Sequence, residues 1–311
     1  MEFKHISVLL SESVDLLDVK PDGVYADGTL GGGGHSSLIC SRLSDDGMLI
    51  GIDRDETALK AAGERLSAYS CHRKLCHENF FNIKKILESL KIDKLDGAIL
   101  DLGVSSPQLD VPERGFSYNS CARLDMRMDR SAALDAYTVV NTYEEKRLAD
   151  IIFKYGEEKF SRRIARAICE RRESEPIETT SELSEIIKSA IPPAARYADK
   201  HPAKRTFQAI RIEVNGELDG LEQALRDFTD CLKKGGRLAV ITFHSLEDRI
   251  VKNTFASLAQ GCTCPKDFPV CVCGKLPTVK LVNRKPIEAG DNELRRNFRA
   301  HSAKLRVIEK L

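Results

Sequence analysis

Five glycines fall within seven residues, Gly28 to Gly34, directly behind a short apolar run that ends on a carboxylate, Val24-Tyr25-Ala26-Asp27. Ser36 to Leu43 can then start a helix. Glycine takes φ > 0 without a Cβ clash and leaves the backbone amides open to a neighbour, so the run predicts a strand-to-helix turn that cradles a small molecule. A flexible surface turn is the bland alternative. A second apolar run, Met48-Leu-Ile-Gly-Ile52, ends on Asp53, twenty residues beyond Gly33. That is the spacing at which a nucleotide-binding βαβ unit sets an acid against ribose hydroxyls.

The dinucleotide spacing G-x-G-x-x-G is not kept, because its third glycine falls on Ser36. An acid ahead of the glycines repels a pyrophosphate and suits an ammonium or sulfonium. S-adenosylmethionine carries both, and the pattern resembles motif I of the Rossmann-like methyltransferases. A nicotinamide dehydrogenase, which shares a glycine loop, is the rival enzyme class.

Strand-like runs at Val24–Leu30, Met48–Asp53, Lys74–Phe80 and Leu95–Gly103 alternate with the helical stretches Asp55–Tyr69 and Asn82–Leu90, which predicts a parallel sheet. Ligands of such sheets sit at the carboxyl ends of the strands, here Asp27, Asp53, Phe80 and Asp101. Phe80 reads equally as a core residue and as a platform for adenine. From residue 110 to about 205 the alternation stops. Helical stretches at Tyr143–Tyr155, Glu157–Arg172 and Ser181–Ala190, the last opened by a Thr179-x-x-Glu182 capping pattern, predict an inserted helical domain over 110–205. The sheet domain is then 1–109 with 206–311. Its second part reads as a strand over Thr206–Ile212, a helix over Leu218–Lys234 stopped by Gly235-Gly236, and strands at Arg237–Phe243, Thr278–Asn283 and Ala303–Glu309.

The 311 residues are 42% apolar, ordinary for a globular chain, and no run approaches membrane-spanning length. We expect a soluble, cytoplasmic protein with no membrane partner. Net charge is only +1, so attraction to nucleic acid must come from local patches. Lys159, Arg162, Arg163 and Arg166 fall on one helical stripe; further cations cluster at Lys204-Arg205 and from Arg284 to Arg306. A solvated face explains one stripe, but three clusters around one pocket favour RNA.

Ten cysteines without a secretory signal point to reduced thiols or metal ligands. Cys262-Thr-Cys264 and Cys271-Val-Cys273 could hold a structural zinc, although C-x-x-C is the commoner spacing. Free thiols or a redox-sensitive loop are the other readings.

His5-x-x-Val-Leu-Leu-x-Glu12, Asp27-Gly-Thr-x-Gly-x-Gly-Gly-His35, Asp101-Leu-Gly-Val-Ser-Ser-Pro-Gln-Leu-Asp110, Arg205-Thr-Phe-Gln-Ala-Ile-Arg-Ile-x-Val-Asn215-x-Glu217 and Thr242-Phe-His-Ser-Leu-Glu-Asp-Arg249 together resemble the RsmH/MraW family. These methyltransferases act on cytosine N4 in small-subunit ribosomal RNA. The resemblance runs from His5 to Arg306. It implies an α/β fold, a Rossmann-like class I methyltransferase sheet of seven mostly parallel strands with an inserted all-helical domain for substrate recognition. It also implies S-adenosylmethionine as donor and 16S rRNA, at the decoding site, as substrate. Carried onto this chain, the donor contacts are Gly33, Gly34, His35, Asp53, Phe80, Asp101 and Gln108. Ser7 stands where many members have proline, and Asn297-Phe-Arg-Ala-His-Ser302 replaces a common Asn-Pro-Arg-Ala-Arg-Ser.

Methylation of an exocyclic amine needs no covalent nucleophile, whereas methylation at cytosine C5 needs a cysteine. None of the ten cysteines lies in the strand-tip motifs. Ser106 lies in the place where amino-methyltransferases carry an acid or serine before Pro-Pro and an aromatic; because that aromatic is missing here, Phe243 and His244, at the tip of the fifth strand, are the candidates for stacking on the base, and Ser106 and His244 are the candidate catalytic residues that position the amine. A hydrogen-bonded structural role for His244 is the alternative. A non-catalytic RNA-binding assembly factor is a further rival, opposed by the intact Asp27, Asp53 and Asp101.

Overall fold

The computed structural model describes residues 7–193, 201–262, 264 and 273–311. The chain divides into two compact units, Met1–Gly103 with Asp219–Leu311, and Val104–Leu218.

The first unit is built on seven strands: β1 (Val24–Asp27), β2 (Met48–Asp53), β3 (His72–His77), β4 (Leu95–Asp101), β5 (Leu232–Thr242), β6 (Val279–Leu281) and β7 (Lys304–Lys310). Their order is β3-β2-β1-β4-β5-β7-β6. The first five run parallel, and β7 is antiparallel to both β5 and β6. The central strands β1, β2 and β4 are near-continuous apolar runs because helices cover both faces of a parallel sheet. Those helices are α1 (Leu10–Leu17), α2 (Gly34–Cys40), α3 (Glu56–Leu66) and α4 (Ile83–Leu90), followed later in the chain by α11 (Leu221–Cys231), α12 (Ser245–Ala259) and α13 (Asp291–Arg296). Leu9, Val14, Leu17, Tyr25, Leu49, Ile99, Ile241 and Leu305 form one buried cluster.

Two sequence expectations for this unit are corrected. β3 ends at His77, and Phe80 opens a short 3₁₀ turn (Phe80–Asn82) instead of ending the strand. Asn79 enforces the break, because its side chain accepts from the Phe81 N–H at 3.1 Å. Gly235-Gly236 does not stop a helix. α11 ends at Cys231 and the glycines sit inside β5, where Leu95 pairs with Leu232 but Gly97 with Arg237. Residues 233–236 are thus a bulge, and Gly235 takes φ +81° there.

The second unit contains α5 (Ser106–Asp110), α6 (Ala136–Thr142), α7 (Glu145–Gly156), α8 (Ser161–Ser174), α9 (Thr180–Ala190) and α10 (Lys204–Asn215). The capping pattern at α9 forms: the Glu182 N–H donates to Thr179 Oγ1 and the Thr179 N–H to Glu182 Oε2. Buried Leu148, Ile152, Ile164, Ile168, Leu183 and Ile187 come from three of its helices.

The stretch expected as a strand, Thr206–Ile212, is the body of helix α10. Its β-branched residues imitate a strand, yet Thr206, Phe207, Ala209, Ile210, Ile212 and Val214 are all buried. A helix buried on most sides has no polar stripe to reveal its period. Gly216, at φ +58°, ends it. Its polar residues bind their own unit: Gln208 Nε2 donates to the Tyr155 carbonyl at 2.9 Å and Asn215 Nδ2 to the Met126 carbonyl at 2.8 Å. Asn215 Oδ1 accepts from the Met128 N–H at 2.8 Å, and Arg211 pairs with Glu217 through two bonds of 2.9 Å.

Candidate functional site

The sheet order turns back between β1 and β4, and in such sheets the ligand crevice opens at that point, beyond the carboxyl ends of the strands. Asp27, Asp53 and Asp101 end β1, β2 and β4. The glycine loop leaves β1 into the same place, held by three backbone bonds: Gly28 N–H to the Ile99 carbonyl, Leu30 N–H to that of Ile52, and Gly33 N–H to that of Leu30.

The three acids do different things. Asp27 is 2% exposed and its oxygens are committed, Oδ2 to the Ser36 hydroxyl at 2.7 Å and Oδ1 to the Thr29 N–H at 3.1 Å. Its place is therefore inside the turn, organising it, and not facing a cationic ligand as its position before the glycines suggests. Burial pushes its carboxyl up to about 6. Asp53 holds the loop from the other side, accepting the Gly31 N–H at 2.7 Å through Oδ2 and the Asp55 N–H at 2.8 Å through Oδ1. Burial raises its pKa as well, opposed by those N–H bonds.

Asp101 is the incomplete one. Its Oδ1 is buried with no hydrogen-bond partner, and its Oδ2 lies 3.6 Å from His35 Nδ1. Burial, and then the charges of Asp27 and Glu247, hold its pKa well above the usual carboxylate range. His35 is fixed in turn, with Nε2 3.0 Å from the Val8 carbonyl. Thr29 completes the set, its hydroxyl accepting the Asp101 N–H at 2.6 Å.

Space around the loop is reserved unevenly. A Cβ on Gly28 would lie 2.4 Å from Leu100 Cδ2, and one on Gly34 1.8 Å from Ser7 Oγ, so these two glycines serve close packing. Gly33 requires φ +74°. A Cβ on Gly32 would meet nothing within 4 Å. Phe80 is half-buried, with its ring edge-on to Phe81 at 4.7 Å and 6.4 Å from Phe228, so it is partly core and partly available to a ligand.

At the β5 tip, His244 is the N-cap of α12. Its Nδ1 accepts from the Glu247 N–H at 3.4 Å and its Nε2 is 3.1 Å from Glu247 Oε1. Glu247 Oε2 accepts the N–H groups of Phe243 and His244 at 2.8 and 3.3 Å. A histidine cap is uncommon, and neither it nor the roles of Thr29, Ser36 and Glu247 are legible from residue type; the S/T/D/N-x-x-E capping signature misses a His-x-x-Glu.

Gln108 belongs to the second unit, where it is buried and its Oε1 accepts the Ser105 N–H at 3.0 Å. The Ser106 side chain, Cys271 and His5 lie outside the described residues. Cys262, Cys264 and Cys273 come together, with their sulfurs all within 4.8 Å. Arg162, Arg163 and Arg166 are exposed on α8, but that helix starts at Ser161, so exposed Lys159 lies in the turn before it and the expected four-residue helical stripe is reduced to three. On the first unit, Phe298 is 86% exposed, two residues after Arg296 and next to Arg299 in sequence. Among the described residues, no helix is long and apolar enough to cross a membrane.

Residues 2–311 match the model of the MraW methylase family. The chain belongs to that family. It is 60% identical over its full length, and the relative's, to a protein of Clostridium botulinum (strain Kyoto) named ribosomal RNA small subunit methyltransferase H. A protein of the same name from Brevibacillus brevis is 55% identical, over all of this chain and 99% of its own. An rRNA methylase structure from Streptococcus thermophilus covers 99% of each chain at 12% identity and a TM-score of 0.44, too loose a likeness to bear on the site. The seven-stranded, mostly parallel sheet with its helical insert is thus the Rossmann-like class I methyltransferase fold, and the nicotinamide dehydrogenase alternative falls away.

Proposed function

We propose that this enzyme transfers a methyl group from S-adenosylmethionine to the exocyclic N4 amine of a cytosine in 16S ribosomal RNA, at the decoding site. The observation that carries the reading is the end-to-end 60% identity to a ribosomal RNA small subunit methyltransferase H. The crevice fits the donor. Asp101 offers an acceptor oxygen with no protein partner, and the Gly32 backbone leaves open space where a side chain would stand. Gly33, Gly34 and His35 would line the methionine side, Asp53 the ribose hydroxyls, Phe80 the adenine and Asp101 an N–H group of the donor, with Gln108 as a further contact.

Bound there, S-adenosylmethionine supplies an electrophilic methyl on a sulfonium. The protein's task is then to position the amine. Cytosine N4 is conjugated with its ring, so acceptors must hold its hydrogens and draw the lone pair towards the methyl group. Ser106 and His244 are the proposed orienting residues. Among the described residues no cysteine ends a strand, and burial pushes the Cys76 thiol in β3 up, away from a reactive thiolate. That supports direct transfer to nitrogen.

The unit 104–218 is the proposed substrate-recognition domain, with Arg162, Arg163 and Arg166 of α8, and Lys159 just before it, on RNA phosphates and the Arg295–Arg299 segment as a second contact. Mass spectrometry of 16S rRNA, after incubating protein and donor with small subunits lacking the modification, tests the proposal. Appearance of N4-methylcytidine supports it; a methyl on carbon, or none, refutes it.

A further inference from the structure

We propose that Cys262, Cys264 and Cys273 form a soft-metal site, suited to zinc, at the base of the excursion between α12 and β6. It is independent of the methyl-transfer reading. Cys262 Sγ and Cys273 Sγ are 3.6 Å apart. A disulfide requires about 2.05 Å, so the two sulfurs are not bonded. Two thiolates sharing a tetrahedral zinc, at about 2.3 Å each, stand about 3.8 Å apart. The spacing therefore matches an edge of a metal tetrahedron, and Cys264 lies within the same 4.8 Å cluster.

A second observation concerns charge. The Cys264 N–H donates to Cys262 Sγ at 3.4 Å. A hydrogen bond received by sulfur favours the thiolate, the form that binds metal. Among the described residues no carboxylate joins the cluster; its three sulfurs suit zinc over calcium or magnesium, which need oxygen. Three thiolates leave the fourth tetrahedral position to another donor.

The location suits a fastener. The Thr278 N–H and hydroxyl both bond the Leu258 carbonyl, at 3.0 and 3.2 Å, which closes the excursion where it leaves α12 and enters β6. A metal on Cys262, Cys264 and Cys273 would close it again a few residues further out. Loading releases the thiol protons that remain, so affinity should rise with pH.

Protein purified with reductant and without chelator should carry about one equivalent of zinc per chain by plasma mass spectrometry. After chelation, cobalt(II) should restore thiolate-to-metal charge-transfer absorption. Cys262→Ser, Cys264→Ser and Cys273→Ser should each abolish that band and weaken cobalt binding by more than the roughly 10–100-fold typical of losing an outer-shell partner. Cys121→Ser, an exposed thiol of the other unit, should change nothing. Circular dichroism separates loss of metal from loss of fold. Wild-type protein that binds no cobalt, serine variants that bind it as wild type does, or a Cys262–Cys273 disulfide in the reduced preparation would each overturn the proposal.

Discussion

His35 Nδ1 stands 3.6 Å from Asp101 Oδ2, while the other oxygen of Asp101 is buried without a partner. Asp101 ends β4 where the sheet order turns back beside β1, and its carboxylate is short of one hydrogen-bond donor there. Because burial and neighbouring acids raise its pKa, a ligand offering N–H groups should bind the ionised form and displace a proton. Calorimetry of S-adenosylmethionine in buffers of different ionisation enthalpy should detect proton release, and affinity should climb as pH rises through the Asp101 titration. Asp101→Asn should abolish the release and cost about 1.5–3 kcal/mol of binding. Proton release persisting in that variant would assign the titration elsewhere.

Asp27 links the turn to stability. Its carboxyl titrates near 6 in the folded chain against 3.8 ordinarily, so between these values the native state keeps a proton that the unfolded chain has lost. Its stabilising contribution is complete below 3.8 and disappears as pH rises through about 6, a swing on the order of 3 kcal/mol. Asp27→Asn should therefore gain stability relative to wild type on going from pH 4 to pH 7 in urea unfolding. A difference independent of pH would rule out this coupling.

Two neighbouring glycines should fail differently. Gly33→Ala forces a side chain to φ +74° with Ala62 Cβ 3.2 Å away, and should lower stability by about 1–2 kcal/mol. Gly32→Ala meets nothing, so its melting temperature should stay near wild type while donor affinity falls. Equal donor affinity in Gly32→Ala and wild type would mean that the donor lies elsewhere.

His244 can be tested by separating cap from chemistry. His244→Ala should lose about 1 kcal/mol of stability along with any activity, whereas Asn is a strong cap. His244→Asn should keep the melting temperature and lower kcat with little change in KM for the small subunit, if the imidazole orients the amine. Wild-type kcat in His244→Asn would leave the residue a cap alone.

The proposed RNA surface leads to two further phenotypes. Phe298→Ala should raise KM for the small subunit by the equivalent of about 1–3 kcal/mol, the value of one base stacked on an aromatic ring, with donor affinity unchanged. Charge reversal of Arg162 and Arg163 should weaken RNA binding and flatten its salt dependence. Wild-type rates across a salt series would reduce that stripe to a solvated face.

The sheet was legible because parallel strands carry their own signal: apolar runs ending on Asp27, Asp53 and Asp101, each behind a helix-length gap. α10 was not, since burial on most sides erases the alternation that separates helix from strand. The site was legible as a set of residues and opaque as a set of roles. Asp27 and Asp101 look alike in sequence, yet Ser36 and Thr29 occupy one and nothing occupies Oδ1 of the other. His244 was visible as a strand-tip histidine, but its capping bond to Glu247 depends on a backbone conformation that its residue type does not announce.

β7 lies between β5 and β6 in the sheet, although it follows both in sequence, at residues 304–310. Similarly, the Leu9 N–H is held by Glu293 Oε1 at 2.8 Å, joining residues 284 positions apart. During synthesis, β5 therefore leaves the ribosome with an open edge and β6 without its β7 neighbour, until residues 304–310 are free of the exit tunnel. The sheet is completed from the inside by its latest strand. A nascent chain stalled before residue 304 should present a sticky edge to chaperones.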